Sequence, residues 1–178
     1  SSLTPGSLHE AGRPITGEEF DRMLAKVEAG LLAVKPQPGR QAKQKRKWGD
    51  DSKADLQTNR ARQAAAVAPS WRHLLRGRYL SGLRLGEAMQ LWWDDRPDKI
   101  SVDLSGRHPM LLIRAELEKG GQDRILPITP DFAEFLQETP EHRRAGPVFR
   151  PQGMRGQECR GAEYVGRCIT DIGTAAGI

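Results

Sequence analysis

The sequence is poor in several residues that would narrow its class. Two cysteines in 178 residues, Cys159 and Cys168, cannot build a disulfide framework, so a reduced, intracellular setting is expected. Aromatic residues make up only 6% of the chain, with two tyrosines. No apolar run approaches the roughly 20 residues that span a bilayer, which excludes a membrane helix and gives a cytoplasmic expectation. Residues 1 to 14 hold no apolar stretch of the kind a signal peptide needs. Position 1 is Ser rather than Met, which reads as an excised piece. No internal repeat is visible, and Cys159, Cys168 and His142 lack zinc spacing, so no metal and no cofactor is expected.

Charge is abundant and uneven. The chain carries 28 Lys/Arg against 23 Asp/Glu, a net charge of +5 and a pI near 9.5. Residues 35 to 62 hold nine Lys/Arg and three Asp/Glu, so this one segment exceeds the charge of the whole chain. A milder concentration runs from Arg143 to Arg167, with six Arg and two Glu. Such stretches fit either a polyanion such as nucleic acid or a solvated linker.

The pattern along the chain predicts a flexible tail over 1 to 12, then a helix. Thr16 and Glu19 have capping-box spacing, Ile15 and Phe20 staple spacing, and Met23, Leu24, Val27 and Leu31 continue one apolar face. Residues 35 to 62 carry no apolar period and read as a basic loop or disordered insert, turning helical near Leu56 if at all. A second helix is expected over about 61 to 79, and a third from Leu83 to about Trp92. The period then becomes two. Ile100 to Leu104, Met110 to Ala115 and Arg124 to Ile128 are separated by two turns and read as a three-stranded antiparallel meander. Thr129-Pro130 opens another helix with proline at its preferred first position, and Tyr164 to Ile172 makes the last. The expected class is α+β, mainly helical, with the strands segregated.

Two motifs carry chemistry. In Ser81-Gly82-Leu83-Arg84-Leu85-Gly86-Glu87, the glycine permits a sharp turn that sets Arg84 in the first turn of the next helix. Backbone N–H groups and a guanidinium there suit a phosphate, and Glu87 is spaced to hold a guanidinium in place. In Glu118-Lys119-Gly120-Gly121-Gln122-Asp123-Arg124, a lysine at the mouth of a glycine-rich hairpin can reach into a site and donate a proton to a departing alkoxide. The ordinary alternatives are an exposed Arg–Glu pair on a helix and a solubilising lysine on a turn.

Taken in order, these motifs resemble the catalytic domain of the tyrosine recombinases, the phage integrase family. Ser81 to Asp95 (SGLRLGEAMQLWWDD) is similar to that family's first arginine box. Glu118 to Thr129 (EKGGQDRILPIT) is similar to its lysine hairpin, and Thr174 to Ile178 (TAAGI) to the helix end before its second box. The resemblance covers roughly residues 13 to 34 and 63 to 178, a partial catalytic domain; the insert at 35 to 62 falls outside it. It implies site-specific DNA recombination or integration by a phage or other mobile element, through a phosphotyrosyl intermediate and without a metal. Arg84 would stabilise the transition state at the scissile phosphate, Lys119 would be the general acid, and Glu87 would support the arginines. The partners implied are double-stranded DNA and, in the full-length protein, further copies assembled on it. By their charge rather than by the resemblance, Lys43, Lys45, Arg46 and Lys47 would contact phosphates, and Arg124 is expected to bind DNA with them.

The family's His/Lys-x-x-Arg box and nucleophilic tyrosine match nothing before Ile178, so these 178 residues are expected to be inactive alone. His73-Leu74-Leu75-Arg76 has the spelling but precedes Arg84, reversing the family order, and Tyr164 reads as core packing. The rival reading is a non-catalytic DNA-binding module on the same fold, acting as a regulator or accessory factor. A metal-dependent nuclease is disfavoured, since Asp94, Asp95 and Asp98 read as a surface turn without a histidine.

Overall fold

The computed structural model describes residues 14–34, 50–117 and 121–178. Helix α1 (Gly17–Ala25) starts as its sequence predicts: the Glu19 N–H donates to Thr16 Oγ1 at 3.2 Å, and the Thr16 N–H donates to Glu19 Oε2 at 2.9 Å. The chain turns at Lys26 and resumes as α2 (Val27–Ala33), so the single apolar face of the sequence is shared by two short helices. Phe20, Met23, Val27 and Leu31 are buried along it.

Helix α3 (Asp50–Ser81) is far longer than expected. Residues 50–62, read as part of a loop or disordered insert, are helical. Residues 54–63 are all exposed, so no apolar stripe announces this part. The Arg60 Nη2 donates to the Leu32 carbonyl at 3.0 Å, tying this arm to α2. From Ala64 onward α3 enters the core, where Ala68, Trp71 and Leu74 are fully enclosed. Two helix glycines allow close approaches, Gly30 to the helix that carries Ile172 and Gly77 to the loop that carries Phe149. A Cβ on Gly30 would lie 2.5 Å from the Ile172 Cα, and one on Gly77 would lie 2.3 Å from the Phe149 ring.

Helix α4 (Leu85–Met89) is cut short, correcting the expectation of a helix to Trp92. Leu91–Trp92 forms strand β1, which pairs in parallel with β2 (Ile100–Asp103). Strands β3 (Met110–Ile113) and β4 (Arg124–Pro127) complete the sheet in the order β1-β2-β3-β4, with antiparallel β2–β3 and β3–β4 pairs. The sheet therefore has four strands and is mixed, where a three-stranded antiparallel sheet was expected. Two residues are too few to display a period of two, so β1 was hidden inside a helical pattern.

Helix α5 (Pro130–Gln137) buries Phe132, Phe135 and Leu136 against α3, capped by Thr129 Oγ1 accepting from the Phe132 N–H at 3.4 Å. Helix α6 (Ala162–Ala175) packs on α2 and closes in a Schellman arrangement. There Gly177 adopts φ +76°, the Ile178 N–H donates to the Gly173 carbonyl at 3.0 Å, and the Gly177 N–H donates to that of Thr174 at 3.1 Å. The class is α+β. No helix among the described residues is long and apolar enough to cross a membrane.

Candidate functional site

The turn between α3 and α4 is built residue by residue from Ser81 to Glu87. Gly82 adopts φ +65°, and a Cβ there would meet nothing within 4 Å, so conformation rather than crowding calls for glycine. Ser81 Oγ accepts from the Leu83 N–H at 3.2 Å and holds the corner. Arg84 is extended, with ψ 151°, and stands just before α4 rather than in its first turn. The Arg84 N–H donates to Glu87 Oε2 at 2.8 Å. Glu87 was expected to hold a guanidinium; it holds the arginine's backbone instead. That bond fixes the direction in which the Arg84 side chain leaves the chain. Its guanidinium is exposed and makes no hydrogen bond or ion pair among the described residues. Because α4 is only five residues long, its dipole adds little, and the anion-attracting group at this turn is the guanidinium itself.

Strands β3 and β4 are an antiparallel pair, and the chain between them starts with a helical turn at Ala115–Leu117. Lys119, with Glu118 and Gly120, lies outside the described residues, as do Lys43, Lys45, Arg46 and Lys47. The base of the hairpin is described, and it is held by a guanidinium that sequence reasoning missed. Arg114, just past β3, donates from Nε to Asp95 Oδ1 at 3.3 Å, from Nη2 to Asp95 Oδ2, and from Nη1 to Asp123 Oδ2 at 3.3 Å. Asp123 Oδ1 in turn accepts from the Ala115 N–H at 2.8 Å across the hairpin. The Asp95 carboxylate, and Asp123 after it, raise the Arg114 pKa above the ordinary arginine value. One arginine thus ties the hairpin to the loop after β1.

The register shows which end of the sheet this is. Leu91, Ile100, Ile113 and Arg124 lie in one row across the four strands. The hairpin therefore leaves the sheet at the end where α4 leads into β1. At the other end, Thr129 Oγ1 donates to the Leu80 carbonyl at 3.5 Å, next to the Ser81 turn. No hydrogen bond or ion pair among the described residues joins Arg84 to the hairpin. Arg124 opens β4, the sheet's outer strand, and is exposed.

The remaining candidates are occupied by structural work. His73 stacks on Phe135 with ring centroids 4.7 Å apart, and burial followed by the Arg76 charge lowers its pKa. Arg76 forms a two-pronged pair with Glu138 at 2.9 and 3.2 Å, so the His73–Arg76 spelling is packing. Tyr164 is half-buried, and burial pushes its hydroxyl up to about 12, which is unlike a ready nucleophile. Asp94 accepts from the Gly146 N–H at 2.6 Å, Asp95 pairs with Arg114, and Asp98 pairs with Lys99 and Arg96. Among the described residues no group of His, Cys, Asp and Glu could hold a metal ion. The Trp92 ring lies under Arg96 at 4.7 Å and Lys99 at 5.9 Å, and Trp93 under Arg144 at 5.8 Å, so neither indole offers a bare face to a base on that side.

No family model, no curated protein and no solved structure matches this chain.

Proposed function

We propose that the chain is part of the catalytic domain of a tyrosine-type, site-specific DNA recombinase. The observation that carries this reading is the Ser81–Glu87 turn. It spends a left-handed glycine and a carboxylate on aiming one arginine into solvent without a partner among the described residues. Such an arginine suits the non-bridging oxygens of a phosphodiester, where charge builds as a pentacoordinate transition state forms. Lys119 follows Arg84 in the sequence, between the residues of β3 and those of β4, in the order that the resemblance requires. In this reading Lys119 would protonate the leaving 5′ oxygen as general acid, which requires it to reach from its own end of the sheet to a phosphate held by Arg84. Glu87 acts in this reading through the backbone, by fixing where Arg84 points.

The reaction also needs a tyrosine to attack the phosphorus and a second arginine box. The first test is therefore the coding sequence after Ile178. A His-x-x-Arg followed some tens of residues later by Tyr supports the reading, and their absence from the parent reading frame refutes it. With those residues present, the longer protein should form a covalent adduct on nicked duplex DNA, and Arg84→Ala should abolish it.

A further inference from the structure

A second basic site stands apart from Arg84. Between the middle of α3, the residues after β1 and the loop 139–150 runs a cleft of about 610 Å³, with Thr139, Arg143, Arg150, Ser70 and Trp93 in its lining. One of its two arginines, Arg150, is placed by backbone carbonyls rather than by a carboxylate. Arg150 donates from Nε to the Pro147 carbonyl at 3.1 Å and from Nη2 to the Ala145 carbonyl. The loop is shaped for this: Gly146 adopts φ +70°, and a Cβ on it would lie 2.7 Å from Arg150 Nη2. Beside the cleft, Arg144 donates from Nε to the Thr139 carbonyl at 2.8 Å and covers Trp93. Arg143 is exposed and its side chain has no partner among the described residues.

Neutral carbonyls orient these guanidiniums without cancelling their charge. The carboxylates nearby are engaged elsewhere or turned to solvent. Glu138 pairs with Arg76, Asp94 accepts from the Gly146 N–H, and Glu141 is exposed with no ion pair among the described residues. His73, also in the lining, has its pKa lowered by burial and adds a neutral ring rather than a charge. Two arginines, Arg143 and Arg150, leave free donors at one concave surface, Arg150 pre-set by its backbone bonds, and Arg144 stands at its border. Guanidinium forks of this kind match the tetrahedral oxygens of a phosphate better than a single carboxylate, and the volume admits more than a bare ion.

We infer that this cleft is a phosphate-binding site, for a phosphate carried either on a free nucleotide or on a nucleic-acid backbone. It stands whether or not the recombinase reading of Arg84 holds.

The test follows the arginine Nε–Hε resonances of the 178-residue protein by NMR during separate titrations with AMP and with a 16-base-pair duplex, at constant ionic strength. The expected result is a saturable shift of Arg143 and Arg150 with at least one probe. Arg143→Gln should weaken that probe about three- to fivefold, the size of one exposed charge pair. Arg107→Gln, in the exposed β2–β3 turn, should change nothing. A response to AMP identifies a free nucleotide as sufficient, and a response to the duplex alone identifies the backbone. Because the Arg143 side chain is exposed and has no hydrogen bond or ion pair among the described residues, its variant keeps the fold, which circular dichroism checks. The inference is overturned if neither probe shifts Arg143 and Arg150 more than sodium chloride does, or if Arg143→Gln and Arg107→Gln bind alike.

Discussion

Replacing Gly30 by alanine tests the contact on which the α2–α6 packing depends. The new methyl would sit 2.5 Å from the Ile172 Cα, 2.6 Å from its Cγ1 and 2.8 Å from its N. Two of those three atoms are backbone, so no rotamer change relieves the clash and α2 and α6 must separate. Overpacking of this kind costs about 1–3 kcal/mol, and a backbone obstacle belongs at the upper end. Alanine recovers about 1 kcal/mol of helix propensity over glycine. The net loss should be about 2 kcal/mol, or roughly 4–8 °C in Tm for a chain of this size. Gly86→Ala is the matched control, because a Cβ there meets nothing within 4 Å. It should be neutral or stabilising by up to about 1 kcal/mol. Thermal unfolding followed at 222 nm separates the two. A Gly30→Ala protein as stable as the parent would refute the close approach of α2 to α6.

Arg84→Ala should leave Tm within about 1 °C, since an exposed side chain with no partner among the described residues contributes little to the fold. Glu87→Ala should cost about 0.5–1 kcal/mol through loss of the cap on the Arg84 N–H, measured by urea unfolding. His73 has its pKa lowered by burial, so the unfolded chain takes up its proton first as pH falls. Stability from this group is complete above about pH 6.5 and is lost as pH drops below that value toward the folded pKa. His73→Phe should therefore lose less stability than the parent between pH 7.5 and 5, and equal losses would discount the effect. Cys168 is pushed up to about 11 by burial, so the native protein should react with a thiol reagent at pH 7.5 far more slowly than the urea-unfolded chain. If the proposed function holds and about four cations meet phosphates, duplex DNA binding should show a slope of log K against log salt of about −3 to −4. Charge-neutral replacements of Lys43, Lys45, Arg46 and Lys47 should flatten that slope, and an unchanged slope would make this basic segment a bystander.

Local signals were readable wherever a short stretch carries its own physics. Thr16 with Glu19, Thr129 with Pro130, and glycine at 82 each satisfy or permit a backbone geometry within four residues, so their spelling suffices. Strand β2 was readable because Ile100 and Val102 alternate with Ser101 and Asp103, and β3 and β4 because turn residues bound their short apolar runs, although Ser101 is buried with its neighbours. What escaped was either too short or too distant. Strand β1 exists only through its pairing with β2, and the exposed start of α3 has no apolar face to betray it. At the site, spacing did place Glu87 beside Arg84. It could not tell a carboxylate that holds a side chain from one that holds a backbone N–H, because both lie within reach. The Arg114 clamp joins positions 95, 114 and 123, and no local rule links a strand-end arginine to acids 19 and 9 residues away.

The strand order carries a consequence for how the chain assembles. Every neighbour in the sheet is also the next strand in sequence, so the region from α4 to β4 can pair through short loop closures. The contact between Gly30 and Ile172 is of the opposite kind, since it closes a loop of about 140 residues. Closing a long loop costs entropy that only its own contacts repay. The sheet should therefore be organised early, and the seating of α2 on α6 should come late. Substitutions at that late contact would then speed unfolding while leaving the folding rate nearly unchanged.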